Sequence, residues 1–282
     1  MKPVHRGREE FGARLRTLRE DARLTGTELA TRLGWQASKV SKIEHGKQTA
    51  SVDDVTSWVR EVGGSAELLT ELLADLRAVR VEYRTWARLV KKGTAVRQRA
   101  VTPLDAATSL LRAFEPSVIP GLLQTAEYAR YVLQSVVELR GMPDDVAEGV
   151  KARMERQAIL YNQEKQFRFL VTEAALRYLV CPPVVLRGQL DRLLAVASLP
   201  NIELAVIPTS AELPFPAMHG FWIYDERVVL VDTVSAELVL KDRDDIELYE
   251  RLFEGLWGVG VRGAEVIGVV GRIVREVDSV AR

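Results

Sequence analysis

Between Gln36 and Lys47 the chain sets small, polar and cationic side chains at close intervals: Gln36, Ala37, Ser38, Lys39, Ser41, Lys42 and Lys47. Side chains of these types can do two kinds of chemistry along one surface. Amides, hydroxyls and ammonium groups hydrogen-bond to base-pair edges, and cations neutralise phosphates. Val40 and Ile43 sit among them at a spacing that places both on the opposite side of a helix, which predicts one buried and one presented face. On that presented face Ser38 and Lys42 are expected at base edges and Ala37 against a thymine methyl. Gln36, Lys39, Ser41 and Lys47 are expected at phosphates, with Thr25 joining the DNA-facing set from the helix before.

The elements that must hold this face are legible around it. TGTELATRLGWQASKVSKIEHG, from Thr25 to Gly46, reads as two short helices joined at a sharp turn. Thr25 caps the first helix, Leu29, Ala30 and Leu33 form its buried side, and Gly34 supplies a left-handed residue to end it. Phe11, Leu15 and Leu18 recur at helical spacing ahead of the motif, and Val52, Val55, Trp58 and Val59 follow it, which predicts four or five helices around one core. Arg19 and Glu44 are opposite charges placed to tie the first helix to the second motif helix, and they are expected to pair. A hairpin that serves only as packing is the alternative. The segment from about residue 8 to 64 resembles the Xre type of helix-turn-helix, the phage-repressor class. In that class an arginine and a glutamate at the matching positions join the first helix to the recognition helix.

Composition narrows the remaining classes. A chain of 282 residues exceeds what one core usually supports, so a small domain followed by a larger one is expected. Residues 1–100 carry 20 Lys+Arg against 13 Asp+Glu, a net of +7, and the rest carry 19 against 26, a net of −7. A polyanion is therefore drawn to the first part and repelled by the second. Cys181 is the only cysteine, which excludes an internal disulfide, and its apolar setting beside Pro182 and Pro183 suggests an inert buried thiol. His5, His45 and His219 are too scattered for a metal site, so neither metal nor other cofactor is expected. No apolar run approaches the length of a membrane span, and no apolar stretch follows MKPVHRGREEF. A cytoplasmic, nucleoid-associated protein without a membrane partner is the expectation.

Beyond Gly63-Gly64, Leu69, Leu72, Leu76, Val79, Tyr83, Trp86 and Val90 alternate steps of three and four, while Arg77, Arg80, Arg84 and Arg88 fall away from them. That pattern predicts a helical connector whose seam either joins two protomers or packs within the chain. Residues 91–100 lack periodicity and read as a loop. The expected organisation is a helix-turn-helix domain over 1–64, a connector over 65–100 and a regulatory or partner-binding domain over 101–282. In the last, helical patterns over 104–114, 121–136 and 146–161 precede β-like runs at 167–171 and 202–207 with a helix at 184–197 between them. A meander over 220–240 and two closing helices, 244–257 and 264–277, complete it. The fold class expected is mainly α with a small sheet: an all-α N-terminal domain and an α+β C-terminal domain.

One phrase of the larger domain stands out: PGLLQT from Pro120 to Thr125, followed by Tyr128, Ala129 and Arg130. Pro120 and Gly121 are expected to turn the chain into a helix that buries Leu122 and Leu123. Gln124, Tyr128, Arg153 and Arg156 are expected to line a ligand or partner pocket, structural hydrogen bonding being the alternative. Together with ARMERQ at 152–157, EAALR at 173–177 and Gln189-Leu190, the phrase resembles the C-terminal domain of actinobacterial WhiJ-like regulators. That resemblance implies a transcription regulator, often encoded beside a small partner protein and antitoxin-like in some members, with no ligand or catalytic residue to carry over. Gly258, Gly260 and Gly263 spell GxGxxG, but the apolar pattern before them is helical, whereas a dinucleotide loop must follow a strand. No constellation of nucleophile, base and orienting group is found, so the chain is not expected to be an enzyme. The expected role is a homodimeric regulator on a palindromic double-stranded operator, its second domain sensing a small-molecule ligand or docking a partner protein. An antitoxin-like protein that masks a partner and autoregulates its operon is the alternative.

Overall fold

The computed structural model describes residues 3–48, 50–80, 82–85, 93–234 and 236–280. The chain divides into two compact units, Met1–Tyr83 and Arg84–Arg282. In the first, five helices run in order: α1 (Pro3–Asp21), α2 (Gly26–Leu33), α3 (Ala37–Glu44), α4 (Val52–Glu61) and α5 (Ala66–Arg80). Local chemistry sets their ends. Thr25 caps α2 by accepting from the Glu28 N–H while Glu28 accepts from the Thr25 N–H, and Ser51 with Asp54 builds the same reciprocal cap on α4. Gly34 sits at φ 67°, a left-handed turn that an L side chain adopts at a cost, and this lets α3 leave at a sharp angle.

Phe11, Leu15, Leu29, Val40, Ile43, Val55 and Trp58 form the core of this unit, and Leu72 and Leu76 of α5 complete it. Arg14 of α1 pairs with Glu71 at 2.9 Å and with Asp75, both on α5. The compact unit therefore runs past residue 64. Leu72 and Leu76 of the expected seam fill this core, because four short helices leave an apolar flank that a fifth must cover. The expected long helix stops at Arg80: Tyr83 and Arg84 of the same pattern lie in a short strand, Glu82–Thr85, whose backbone pairs at a sheet edge, and Trp86, Arg88 and Val90 lie outside the described residues.

The second unit contains α6 (Thr94–Ala107), β1 (Leu110–Glu115), α7 (Ala126–Arg140), α8 (Val146–Arg156), β2 (Gln166–Thr172) and α9 (Pro183–Ala197). These are followed by β3 (Ile202–Ile207), β4 (Phe221–Tyr224), β5 (Val228–Asp232), β6 (Ala236–Leu240), α10 (Arg243–Val259), β7 (Val261–Arg262) and α11 (Ala264–Val280). The strands form one mixed sheet in the order β6-β5-β4-β1-β2-β3-β7, and a further short strand, Glu82–Thr85, adds to its edge beside β6. β2 runs parallel to both β1 and β3, with Ala113 opposite Phe169 and Phe169 opposite Leu204, and the other pairings are antiparallel. Phe167, Phe169, Val171, Leu204 and Val206 pack with α9 and α11 on one face. On the other, α10 lays Tyr249 and Phe253 against Phe221, whose ring lies 4.9 and 6.5 Å from theirs. The chain is thus mainly helical, with a single sheet among the described residues, as its sequence predicts.

Three local expectations are corrected. Residues 94–100 are not a loop but the start of α6, because Asp145, distant in sequence, accepts from the Thr94 and Ala95 N–H groups at 2.8 and 3.0 Å and caps the helix. The pattern over 104–114 conceals a break: α6 ends at Ala107 and Leu110–Glu115 is the strand β1. β1 lies between two other strands and is buried over Leu111–Phe114, so it lacks the alternation that would mark it as a strand. PGLLQT does not open a helix. Gly121–Leu123 is a single 3₁₀ turn that stops at Gln124, and α7 begins afresh with Thr125 as its cap.

Candidate functional site

α3 presents the face that its sequence predicts. Gln36, Ala37, Ser38, Ser41 and Lys42 are exposed, while Val40, Ile43 and Glu44 are buried. Eight residues at about 1.5 Å each make a rod of roughly 12 Å, short enough to seat wholly within one major groove. What aims it is an ion pair. Arg19 Nε donates to Glu44 Oε1 at 2.6 Å and Nη2 donates to Oε2 at 3.1 Å, a two-pronged clamp between α1 and α3, while Nη1 donates to the Leu24 carbonyl at 2.6 Å. Both side chains are under a tenth exposed, so the clamp is shielded from water and salt.

Gly12 allows the same approach. A Cβ there would fall 2.6 Å from the Glu44 carbonyl oxygen, so α1 meets the C-terminal turn of α3 backbone to backbone. Thr25 caps α2 with its hydroxyl, yet remains exposed beside the presented face. Lys47 is exposed in the turn after α3, as is Gln48, which the spacing argument passed over because it lies beyond the helix.

Lys39 is placed differently from expectation. Its ammonium donates to Asp54 Oδ1 at 2.6 Å and lies 3.9 Å from the centre of the Trp35 ring, so its charge is engaged inside the unit. Asp54 also accepts from the Ser51 N–H at 2.9 Å, and Lys39 thereby ties α3 to the start of α4. Burial pushes the Asp54 carboxyl up, but the bonds from Lys39 and Ser51 outweigh it and hold the group below its ordinary range. Lys39 is a scaffold residue here, and Lys42 and Lys47 are the exposed lysines of the face.

In the second unit, three glutamines satisfy the backbone of PGLLQT. Gln124 donates to the Ile119 carbonyl at 2.7 Å, Gln157 donates to the Gly121 and Gln124 carbonyls at 3.2 and 2.7 Å, and Gln189 donates to the Leu123 carbonyl at 2.9 Å. Gln189 also accepts from the Thr125 N–H at 2.6 Å. A non-repetitive turn carries polar groups that a buried site must pair, and these side chains supply the partners. The EAALR phrase is likewise structural. Glu173 accepts from Arg177, Arg272 and the Thr209 N–H, the last at 2.9 Å. Burial alone would raise its carboxyl, but these donors hold it down at about 2.

Beside that turn lies a cavity of about 480 Å³. Gln124, Arg153 and Arg156 line it, whereas Tyr128 is fully buried behind the wall, its hydroxyl accepting weakly from the Ile119 N–H at 3.5 Å. Arg97, Arg140, Glu115 and Trp222 also line it. Sequence reasoning missed these four, because Arg97 lay in a stretch without periodicity and the other three come from elements far apart in the chain. Arg156 is neutralised by Asp105 through bonds of 2.5 and 3.1 Å, and Arg97 pairs with Glu237. Trp222 Nε1 donates to Glu115 Oε1 at 2.8 Å, but burial dominates and raises that carboxyl to about 7.

Arg153 stands apart. Its Nη1 donates to the neutral Gln124 Oε1 at 2.5 Å, its buried Nε has no hydrogen-bond partner, and no carboxylate among the described residues forms an ion pair with it. Burial, then the neighbouring Arg156 and Arg97, lower its pKa to about 10, still well above neutrality.

A two-helix head clamped for presentation and a separate domain with a charged cavity define a protein of the helix-turn-helix class, and comparison with known proteins agrees. Residues 10–72 match a helix-turn-helix domain, and residues 98–272 match a family described as a domain of unknown function, DUF5753. The chain belongs to that family. The HTH-type transcriptional repressor RghR of Bacillus subtilis (strain 168) is 30% identical over 91 residues, which span 31% of this chain and 67% of the relative. Among solved structures, the phospholipase D family member Nuc from Salmonella typhimurium aligns with a TM-score of 0.36 and 11% identity, over 65% of this chain and 97% of that one. TrmBL2, an archaeal chromatin protein, aligns at 0.32 and 14% over 85% and 88%. Scores this low leave the fold of the second unit to be described on its own terms.

Proposed function

We propose that this chain is a sequence-specific DNA-binding transcription regulator rather than an enzyme, acting at the nucleoid in the cytoplasm. It works as a homodimer that sets two α3 helices into successive major grooves about 34 Å apart on an imperfect palindrome. The observation that carries the reading is the exposed run Ala37, Ser38, Ser41 and Lys42 on a short helix held by the buried Arg19–Glu44 clamp. A helix serving only as packing has no need of a shielded, two-pronged ion pair to fix its angle. The basic balance of the first hundred residues supplies the sequence-blind attraction on which such recognition is built. The second domain sets occupancy by sensing a ligand in its cavity.

Footprinting of two variants tests the assignment. Lys42→Ala costs about 1 to 3 kcal/mol and relaxes preference at one base position, whereas Lys47→Ala weakens all duplexes alike. Equal, sequence-blind losses from both would refute it. Docking of a small protein encoded nearby, as in an antitoxin-like role, is favoured by one other feature. Tyr178, Leu179, Val180 and Val184 form an exposed apolar run on the second unit. A stoichiometric complex with the neighbouring gene's product, lost on Leu179→Asp, is the outcome that reading requires.

A further inference from the structure

The cavity of the second unit holds a guanidinium, that of Arg153, with which no carboxylate among the described residues forms an ion pair, although Glu115 and Asp232 line the same space and attract it. Arg156 and Arg97 have carboxylates against them, but Arg153 has only an amide oxygen, and its Nε points at no acceptor. A lysine in this position could shed its proton, whereas a guanidinium stays charged at any physiological pH. Burying such an ion with no carboxylate in contact is unfavourable, a penalty that structures rarely retain at a site with no use for it. Gln124 fixes the orientation of the group, since its amide is itself held by the Ile119 carbonyl, so the guanidinium is pre-set rather than free to swing toward water.

The opposite wall differs in kind. Val132, Leu133 and Val136 of α7 and Met142 after it face the same space. An amphiphilic shape is thus drawn in the cavity, cationic at one end and aliphatic at the other, at a volume within the range of small-molecule sites.

We propose that this cavity binds a small amphiphilic organic anion, its oxyanion head on Arg153 and its apolar body against α7 and Met142. This deepens the ligand-sensing reading and rests on it for its regulatory meaning, but the binding step itself involves no DNA. Arg153 contributes Nε and a second N–H on one edge, the fork that a carboxylate or phosphate oxygen pair accepts. Besides the arginines, the cavity is lined by Asp232, 3.7 Å from Arg97, by His219, whose imidazole is held below its ordinary range by burial, and by Glu115. Of these, Glu115 opposes an anion when ionised and ceases to when protonated, so binding tightens as pH falls through about 7.

The test uses the full-length chain without DNA and three eight-carbon probes: octanoate, octyl phosphate and the neutral octanamide. Melting shifts and calorimetric titration are read at pH 6 and 8. Octanoate or octyl phosphate is expected to raise the melting temperature where octanamide does not, and which of the two binds tighter identifies the head group. Arg153→Gln weakens the anion by about ten- to a hundredfold, and Arg153→Lys retains part of the affinity. Equal shifts from octanoate, octyl phosphate and octanamide, no shift from either anion, or undiminished anion binding by Arg153→Gln overturns the proposal. Should Arg153→Gln fail to fold, the anion-against-amide comparison on the unaltered chain still decides. Because no duplex is present, failure here is separable from failure of the DNA-binding reading, and the footprinting above is equally blind to this one.

Discussion

Replacing Arg19 by methionine removes one half of the clamp and leaves Glu44 charged in a site where its side chain is 7% exposed. Four donated hydrogen bonds go with it, two to the Glu44 carboxylate, one to the Leu24 carbonyl and a long one of 3.5 Å to Glu20. Breaking a buried pair from one side costs about 3 to 5 kcal/mol, most of it the penalty of the stranded charge. Against a total stability of about 5 to 15 kcal/mol, that is a large fraction, and in a unit of this size each kcal/mol moves the midpoint by roughly 4 to 8 °C. Urea denaturation followed by the fluorescence of Trp35 and Trp58, both in this unit, reads the loss directly. Glu44→Leu alone strands Arg19 and falls similarly, but Arg19→Met with Glu44→Leu recovers to within about 1 to 2 kcal/mol of the parent, since apolar residues of like size can replace a buried pair. The recovered double variant nonetheless loses DNA preference if the clamp sets the angle of α3. Single losses under about 1 kcal/mol, or a double variant equal to the sum of the singles, would refute the reasoning.

Gly12→Ala should destabilise the first unit by about 2 kcal/mol or more despite alanine's better helix propensity, because the new methyl meets the backbone of Ile43 and Glu44 rather than a yielding side chain; a raised melting temperature contradicts this. Glu115 is held at about 7 in the folded chain, above the ordinary 4.5, so the folded state keeps the proton more tightly and stability falls as pH rises from about 4.5 through 7. Glu115→Gln abolishes that fall and is the more stable form at pH 8 by at most about 3 kcal/mol, as denaturation at pH 5 and pH 8 will show. Asp145→Ala removes the acceptor for the Thr94 and Ala95 N–H groups and costs about 1 to 2 kcal/mol, with faster hydrogen exchange confined to the first turn of α6; unchanged exchange there argues against the cap.

What the sequence displayed, and what it concealed, divides along the range of the interactions. Thr25, Gly34, Val40 and Ile43 act within a turn or two of themselves, so the paired helices and their presented face were legible from spacing alone. Arg19 and Glu44, 25 residues apart, were legible only because few opposite charges stood at matching faces. Asp54 could not be foreseen as the partner that would claim Lys39, nor Asp145 as a cap for a helix 51 residues earlier, since neither leaves a periodic trace. β1 was hidden for a different reason: buried on both faces, it reads as an undivided apolar run. Of the expected pocket residues Gln124, Tyr128, Arg153 and Arg156, all but the buried Tyr128 share a cavity. Their companions Arg97, Arg140 and Glu115 required the fold to bring them there.

Regulation by this chain depends on whether the presented face of α3 reads sequence. Full-length protein titrated at low ionic strength into its own promoter fragment, with a scrambled duplex of the same length in competition, measures this directly. A preference for the promoter of about a thousandfold or more, much reduced in Lys42→Ala, is the predicted result. Equal affinity for both duplexes, with the same salt dependence, would contradict it.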